Sequence, residues 1–167
     1  MRYVKIGILD SGIGGLTVAR AIARTMPGAQ IIYYGDTARM PYGNRPSVEI
    51  ARFMREIIDF LLGQQVDAVA VACNTSSALA LPAMRGQFEV PVVGMIECGA
   101  AAAVEASRSG RIGVIATANT VKSGAYANAI ALLRPGARVV QQACPSLVPM
   151  IERGEVSGEA VRRALRG

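Results

Sequence analysis

A thiol stands where a buried strand runs out. In Asp67-Ala68-Val69-Ala70-Val71-Ala72-Cys73-Asn74-Thr75-Ser76-Ser77, Cys73 follows five apolar residues and precedes four amide or hydroxyl side chains. Residues 68–72 show no polar position and no alternation, the pattern of a central parallel strand covered on both faces. Asn74 to Ser77 supply N-cap residue types for a following helix. Cys73 is therefore expected at the carboxyl end of a strand and beside a helix N-terminus, where open α/β sheets bind ligands and thiol pKa values fall. Such a thiol can serve as a base or a nucleophile. The competing reading is that an unpaired cysteine in a strand simply packs in the core.

Two earlier loops have the same polar character. Asp10-Ser11-Gly12-Ile13-Gly14-Gly15-Leu16-Thr17 joins a first strand to a first helix. As a dinucleotide fingerprint it has Gly12-x-Gly14 but Thr17 in place of the third glycine, although Asp36 sits about where a ribose-binding acid would. As a P-loop it fails for want of the Gly-Lys-Ser/Thr ending. A third reading needs no phosphate: the glycines allow a tight turn, and Asp10 and Ser11 project toward a small polar ligand. A fourth has Asp10 merely capping the helix. In Gly35-Asp36-Thr37-Ala38-Arg39-Met40-Pro41-Tyr42-Gly43, Pro41 fixes the backbone, Tyr42 offers a hydroxyl and Gly43 leaves backbone N–H groups accessible to a carboxylate. The plainer alternative is a surface turn. In a doubly wound sheet the loops after the first three strands can converge on one crevice.

The elements that would place these loops follow a βαβ pattern, giving an α/β fold with mostly parallel sheets. Strands are predicted at residues 4–9, 30–34, 68–72, 91–95, 111–116 and 138–142. Ile50, Phe53, Met54, Ile57, Ile58, Leu61 and Leu62 make one apolar helical face before the cysteine strand. Further helices are predicted near residues 15–25, 76–84, 99–107, 121–132 and 157–165. Ile6-Gly7-Ile8-Leu9-Asp10-Ser11 resembles Ile112-Gly113-Val114-Ile115-Ala116-Thr117, which suggests two similar lobes. The expected division is a first lobe over residues 1–96 carrying Cys73 and a partial second lobe over 97–167, with the counterpart of Cys73 falling past Gly167.

Composition narrows the chemistry. The 167 residues are 51% hydrophobic and 18% charged, enough for a substantial core. Without histidine, this chain holds no Ser-His-Asp or Cys-His relay and no histidine metal site. Cys73, Cys98 and Cys144 lack metal-ligand spacing and are expected as free thiols. The formal charge of +6 is spread over single arginines with a small cluster at Arg162, Arg163 and Arg166; three Phe and five Tyr offer few stacking platforms. A solvated arginine-rich surface is expected rather than a nucleic-acid site. With no membrane span or cleavable leader in view, cytoplasmic location is the expectation.

Taken together, Asp10-Ser11-Gly12-x-Gly14-Gly15, Gly35-Asp36-Thr37-Ala38-Arg39-x-Pro41-Tyr42-Gly43 and Ala72-Cys73-Asn74-Thr75-x-Ser77-Ala78 resemble the bacterial glutamate racemases of the aspartate/glutamate racemase superfamily. The resemblance continues through Gly113-Val114-Ile115, Thr117, Thr120-Val121-Lys122-Ser123-Gly124-Ala125-Tyr126 and Ala143-Cys144-Pro145. It implies an isomerase that interconverts L- and D-glutamate without a cofactor, for peptidoglycan and cell-wall biogenesis. Two cysteines act on opposite faces of the substrate, one thiolate taking the α-proton and the other thiol delivering one. On this resemblance Cys73 is one acid/base, assisted by Asp10. Asp10, Ser11, Pro41, Tyr42, Gly43, Asn74 and Thr75 hold substrate, with Thr117 and Thr120 as further contacts.

The sequence departs from that pattern in two ways. The family is longer, and its second catalytic cysteine lies in a Cys-Thr-His segment that this chain does not contain. Cys98 follows Glu97 where the family commonly has proline, and Cys144 matches a family position not used as the base. A C-terminally truncated racemase, impaired in isolation, is the leading expectation. Such a half-built lobe would expose apolar surface and favour a homo-oligomer. The alternatives are a noncatalytic amino-acid-binding or protein-interaction module and, less favoured, a Rossmann nucleotide-binding domain.

Overall fold

A computed structural model describes residues 3–166. The chain divides into two compact units between Met95 and Ile96.

The first unit is a four-stranded parallel sheet of β1 (Lys5–Asp10), β2 (Gln30–Gly35), β3 (Ala68–Val71) and β4 (Val92–Gly94). Its order is β2-β1-β3-β4, so the strand sequence reverses between β1 and β3. Ile6 lies beside Ile31 on one side and Ala68 on the other. The unbroken apolar run after Asp67 has its reason here, because both faces of the sheet are covered. Ile6, Ile8, Ala70 and Ala72 pack against Val18, Ala19 and Ile22 of α1 (Leu16–Thr25). Leu9, Val69, Val71 and Cys73 pack with Ile50, Phe53, Met54, Ile57, Ile58 and Leu61 of α2 (Ser47–Gly63), the predicted apolar face. At Gly7 the sheet has no side chain to spare: an added Cβ would lie 3.1 Å from Leu61 Cδ1. The two elements thus approach closely where β1 is bare.

The segment predicted as one helix over 76–84 is two: α3 (Asn74–Leu79) and α4 (Leu81–Met84), meeting at Ala80. Pro82 explains the break, since it has no N–H to donate and its ring would crowd the carbonyl of Ala78 in a continuous helix. The start also differs. Cys73 itself is the N-cap, its sulfur accepting from the Ser76 N–H, so Asn74 to Ser77 lie inside the helix rather than before it.

The second unit pairs β5 (Arg111–Ala116) with β6 (Arg138–Ala143) in parallel. Around them lie α5 (Met95–Ala106), α6 (Ala118–Ser123), α7 (Ala125–Leu133), α8 (Leu147–Glu152) and α9 (Glu159–Arg166). Ala100, Ile112 and Ile130 form its core with Val104, Val114, Tyr126 and Val139. The predicted helix over 121–132 is divided by Gly124, whose φ of +66° is left-handed and ends α6. Helix α8 carries Pro149 and spans six residues, too short for a periodic signal. Unlike β3, both strands alternate: Ile112 is buried, while Ile115 and Val140 are more than 60% exposed.

The sequence echo extends to backbone hydrogen bonds. Val4 O accepts from Gln30 N at 2.9 Å and Asp10 O from Asp36 N at 2.9 Å; correspondingly, Gly110 O accepts from Arg138 N and Ala116 O from Cys144 N, both at 2.8 Å. Each unit therefore opens its strand pair with the same frame.

Arginines on the first unit are less purely solvated than expected. The guanidinium groups of Arg39, Arg45 and Arg52 lie over the Phe53 ring, and Arg55 lies 4.4 Å from the Phe88 centroid. Among the described residues no helix is long and apolar enough to cross a membrane.

Because Leu61 is fully buried against β1, Leu61→Ala removes both its transfer energy and its packing. We expect a loss of about 2–5 kcal/mol in urea unfolding of the chain. A loss below about 1 kcal/mol would show that α2 does not seal this face of the sheet.

Candidate active site

Cys73 follows β3, while Asp10 ends β1 and Ser11 follows it, so they occupy the carboxyl ends of the strands flanking the reversal of order. Open α/β sheets bind ligands at such points. The two strand ends are joined directly: the Cys73 thiol, 5% exposed, donates to Ser11 Oγ at 3.4 Å and its sulfur accepts from Ser76 N at 3.5 Å.

The first loop is held from within. Asp10, also 5% exposed, accepts on Oδ2 from Gly15 N at 2.8 Å and Gly12 N at 3.3 Å. Tyr33 reaches across from β2, donating to Gly12 O at 2.8 Å and lying 3.4 Å from Asp10 Oδ2. Gly15 must lack a side chain, since a Cβ would fall 2.8 Å from Asp10 Cβ and 2.9 Å from Ala72 Cβ. The capping alternative takes a modified form: the N-cap is Gly15, with no side-chain cap, and Asp10 braces the loop leading into it. Tyr33 was not among the candidate residues; its place opposite Ile8 is a matter of register between strands.

The second loop is anchored on Asp36, which is 4% exposed. Its Oδ2 accepts from Arg39 Nε at 2.6 Å and from the Tyr42 hydroxyl, while Arg39 also pairs with Glu56 of α2. A carboxylate so engaged is not displayed to a ribose, which removes the acid that the dinucleotide reading needed. Tyr42 is 2% exposed, with its ring 5.7 Å from that of Phe53. Its hydroxyl proton goes to Asp36 rather than to a ligand, which corrects the expectation of a hydroxyl offered to the crevice. Burial first, then the bond to Asp36, and last the nearby Cys73 push its pKa up. Tyr42 opens a 3₁₀ turn, Tyr42–Asn44, that presents the half-buried Gly43 beside exposed Pro41.

Beyond Cys73, Asn74 is exposed and Thr75 is 3% exposed. Ser77 Oγ donates to Val71 O at 2.9 Å and accepts from Met95 N at 3.1 Å. Ser76 is fully buried and its hydroxyl makes no hydrogen bond. In the second unit, Thr117 caps α6, accepting on Oγ1 from Thr120 N at 3.3 Å, and the two hydroxyl oxygens lie 3.0 Å apart. All three cysteines are free; Cys98 is exposed and Cys144 half-buried. The first unit thus gathers Asp10, Ser11, Tyr42 and Cys73, whereas Thr117 and Thr120 adjoin each other at the end of β5. Among the described residues no cluster of His, Cys, Asp or Glu could hold a metal ion.

Two outcomes follow from this geometry. A buried hydroxyl without a partner costs stability, so Ser76→Ala should raise the unfolding free energy by up to about 1 kcal/mol; a drop in urea midpoint would reveal a partner for it. Tyr42→Phe deprives Asp36 of a donor and should cost about 1–3 kcal/mol at neutral pH. Because folding raises the Tyr42 pKa, its contribution is fully present below the unfolded value near 10 and is lost as pH climbs above it. The gap between wild type and Tyr42→Phe should therefore narrow above pH ~10 in unfolding measurements, and a constant gap would refute this origin.

A sequence model of the Asp/Glu/Hydantoin racemase family matches residues 7–167. The glutamate racemase of Gloeobacter violaceus is 52% identical over 161 residues, covering 96% of this chain and 60% of that protein. The crystal structure of the Campylobacter jejuni glutamate racemase matches with a TM-score of 0.90 at 39% identity, over 97% of this chain and 65% of that one. That of the Francisella tularensis glutamate racemase, in complex with D-glutamate, matches with a TM-score of 0.87 at 38% identity, over 96% and 60%. The chain spans about three-fifths of the length of the curated relatives it matches. On the strength of the family match and of the fold it shares with these racemases, the chain belongs to the Asp/Glu/Hydantoin racemase family.

Proposed function

We propose that this chain carries the Cys73 side of a glutamate racemase site, converting L- to D-glutamate by proton transfer at the α-carbon. The observation that carries the reading is the 3.4 Å hydrogen bond from the Cys73 thiol to Ser11, which gives a thiol packed against α2 a polar partner at the carboxyl ends of β1 and β3, where open α/β sheets bind ligands. The D-glutamate in the Francisella tularensis relative supports the choice of amino acid.

In this reading the Cys73 thiolate takes the α-hydrogen as a proton, and the C–H electron pair stays on the α-carbon, spread into the adjacent carboxylate. A proton delivered to the opposite face by the second thiol that the family resemblance implies then gives the other enantiomer, leaving that thiol as thiolate and Cys73 as thiol. Ser11, Asn74 and Thr75 supply hydroxyl and amide contacts, and Gly43, next to Pro41 and Tyr42, supplies a backbone N–H for a carboxylate. Asp10 places its negative charge near the substrate ammonium while bracing Ser11. Cys73 is the acid/base group. The product serves peptidoglycan synthesis.

The test is α-hydrogen exchange on each enantiomer of glutamate in heavy water, read by proton NMR. Exchange through Cys73 should favour one enantiomer, and Cys73→Ala should abolish it, a loss of at least about 100-fold. Undiminished exchange in Cys73→Ala would overturn the assignment.

A further inference from the structure

We propose that Ser11 is a positioning residue for Cys73, its hydroxyl accepting from the thiol at rest and reversing to donate to the sulfur once the proton has left. The inference rests on the reading of Cys73 as an acid/base, because only a group that alternates between thiol and thiolate needs a partner able to do both. A hydroxyl is such a partner: it has one donor and two acceptor sites, and its hydrogen rotates freely. The Ser76 N–H cannot change direction and donates to the sulfur in either state.

Three observations support the pairing. Cys73 is 5% exposed, so protein groups rather than bulk water must answer the charge of a thiolate. The Ser11 backbone sits between residues already fixed, since Asp10 Oδ2 holds the N–H groups of Gly12 and Gly15, and Tyr33 holds Gly12 O. Reversal then requires turning the hydroxyl hydrogen, without moving the loop. Tyr42, backed by Asp36 and Arg39, lies near the thiol, Asp10 precedes Ser11 at the end of β1, and α3 carries no charged residue. Asp10, Asp36 and Tyr42 are engaged in the bonds described above, none of which involves the Ser11 side chain, so replacing Ser11 leaves those bonds in place.

The experiment measures alkylation of the full chain by iodoacetamide across pH, resolved by peptide mass spectrometry, with Cys98 and Cys144 as internal controls. Ser11→Ala should raise the midpoint of Cys73 reactivity by about one pH unit, a tenfold fall in thiolate at a given pH below it, with the two control cysteines unchanged. Ser11→Thr and Ser11→Val have nearly the same shape and differ in the hydroxyl. Thr should keep the wild-type midpoint and Val should show the shift, which separates hydrogen bonding from packing even if the alanine variant folds poorly. Equal Cys73 midpoints in Thr and Val would overturn the proposal. Loss of glutamate exchange in a wild-type chain that still shows the Thr/Val difference would instead sink the racemase reading and leave the pairing standing.

Discussion

A carboxylate buried at the end of the central strand is the constraint from which the rest of the site follows. Asp10 gives up most of its hydration, and a charge in that position needs donors close at hand. It finds them in the loop that leaves β1, drawing the N–H groups of Gly12 and Gly15 onto one oxygen. The loop must therefore curl back over the strand end, and a side chain at Gly15 would collide with both Asp10 and Ala72. Ser11 is carried along by this curl and delivered to the thiol at the end of β3. One ionic group thus converts an ordinary strand-to-helix connection into a shaped polar edge.

The second loop is organised by the same physics from the opposite side. Asp36 follows β2 and donates its N–H to the carbonyl of Asp10, the last residue of β1, so the two acids stand at neighbouring strand ends. Arg39 and Tyr42 fold back onto Asp36, while Arg39 reaches Glu56 and lies over Phe53. Helix α2 is thereby both the floor of the core and the footing of the loop. These bonds come from the chain itself, which lowers the conformational entropy that binding would otherwise have to overcome.

Much of this could be read from residue types. The apolar run before Cys73, the period of α2 and the glycines after β1 each reflect a strong local rule, and the parallel sheet follows from their order. What sequence did not reveal depends on groups far apart along the chain. Tyr33 meets Gly12 only because β1 and β2 align Ile8 with Tyr33. Tyr42 looked like a ligand hydroxyl because nothing local shows that the loop turns it toward Asp36. Cys73 as its own helix cap leaves no mark in the sequence, because cysteine is not a favoured capping residue. The breaks at Pro82 and Gly124 are locally signalled, but the apolar pattern runs through them.

The bare backbone at Gly7 has a consequence for how this sequence can vary. Leu61 occupies the space that a Cβ on residue 7 would enter, whereas at Gly113, the matching position of the second unit, an added Cβ meets nothing within 4 Å. Two glycines that look equivalent in the echoed strands are thus unequally constrained. In the first unit, residues 7 and 61 form a single volume shared between two elements 54 positions apart in sequence. A larger residue can be admitted at either place only when the other gives way, so the two should drift together through evolution while Gly113 drifts alone.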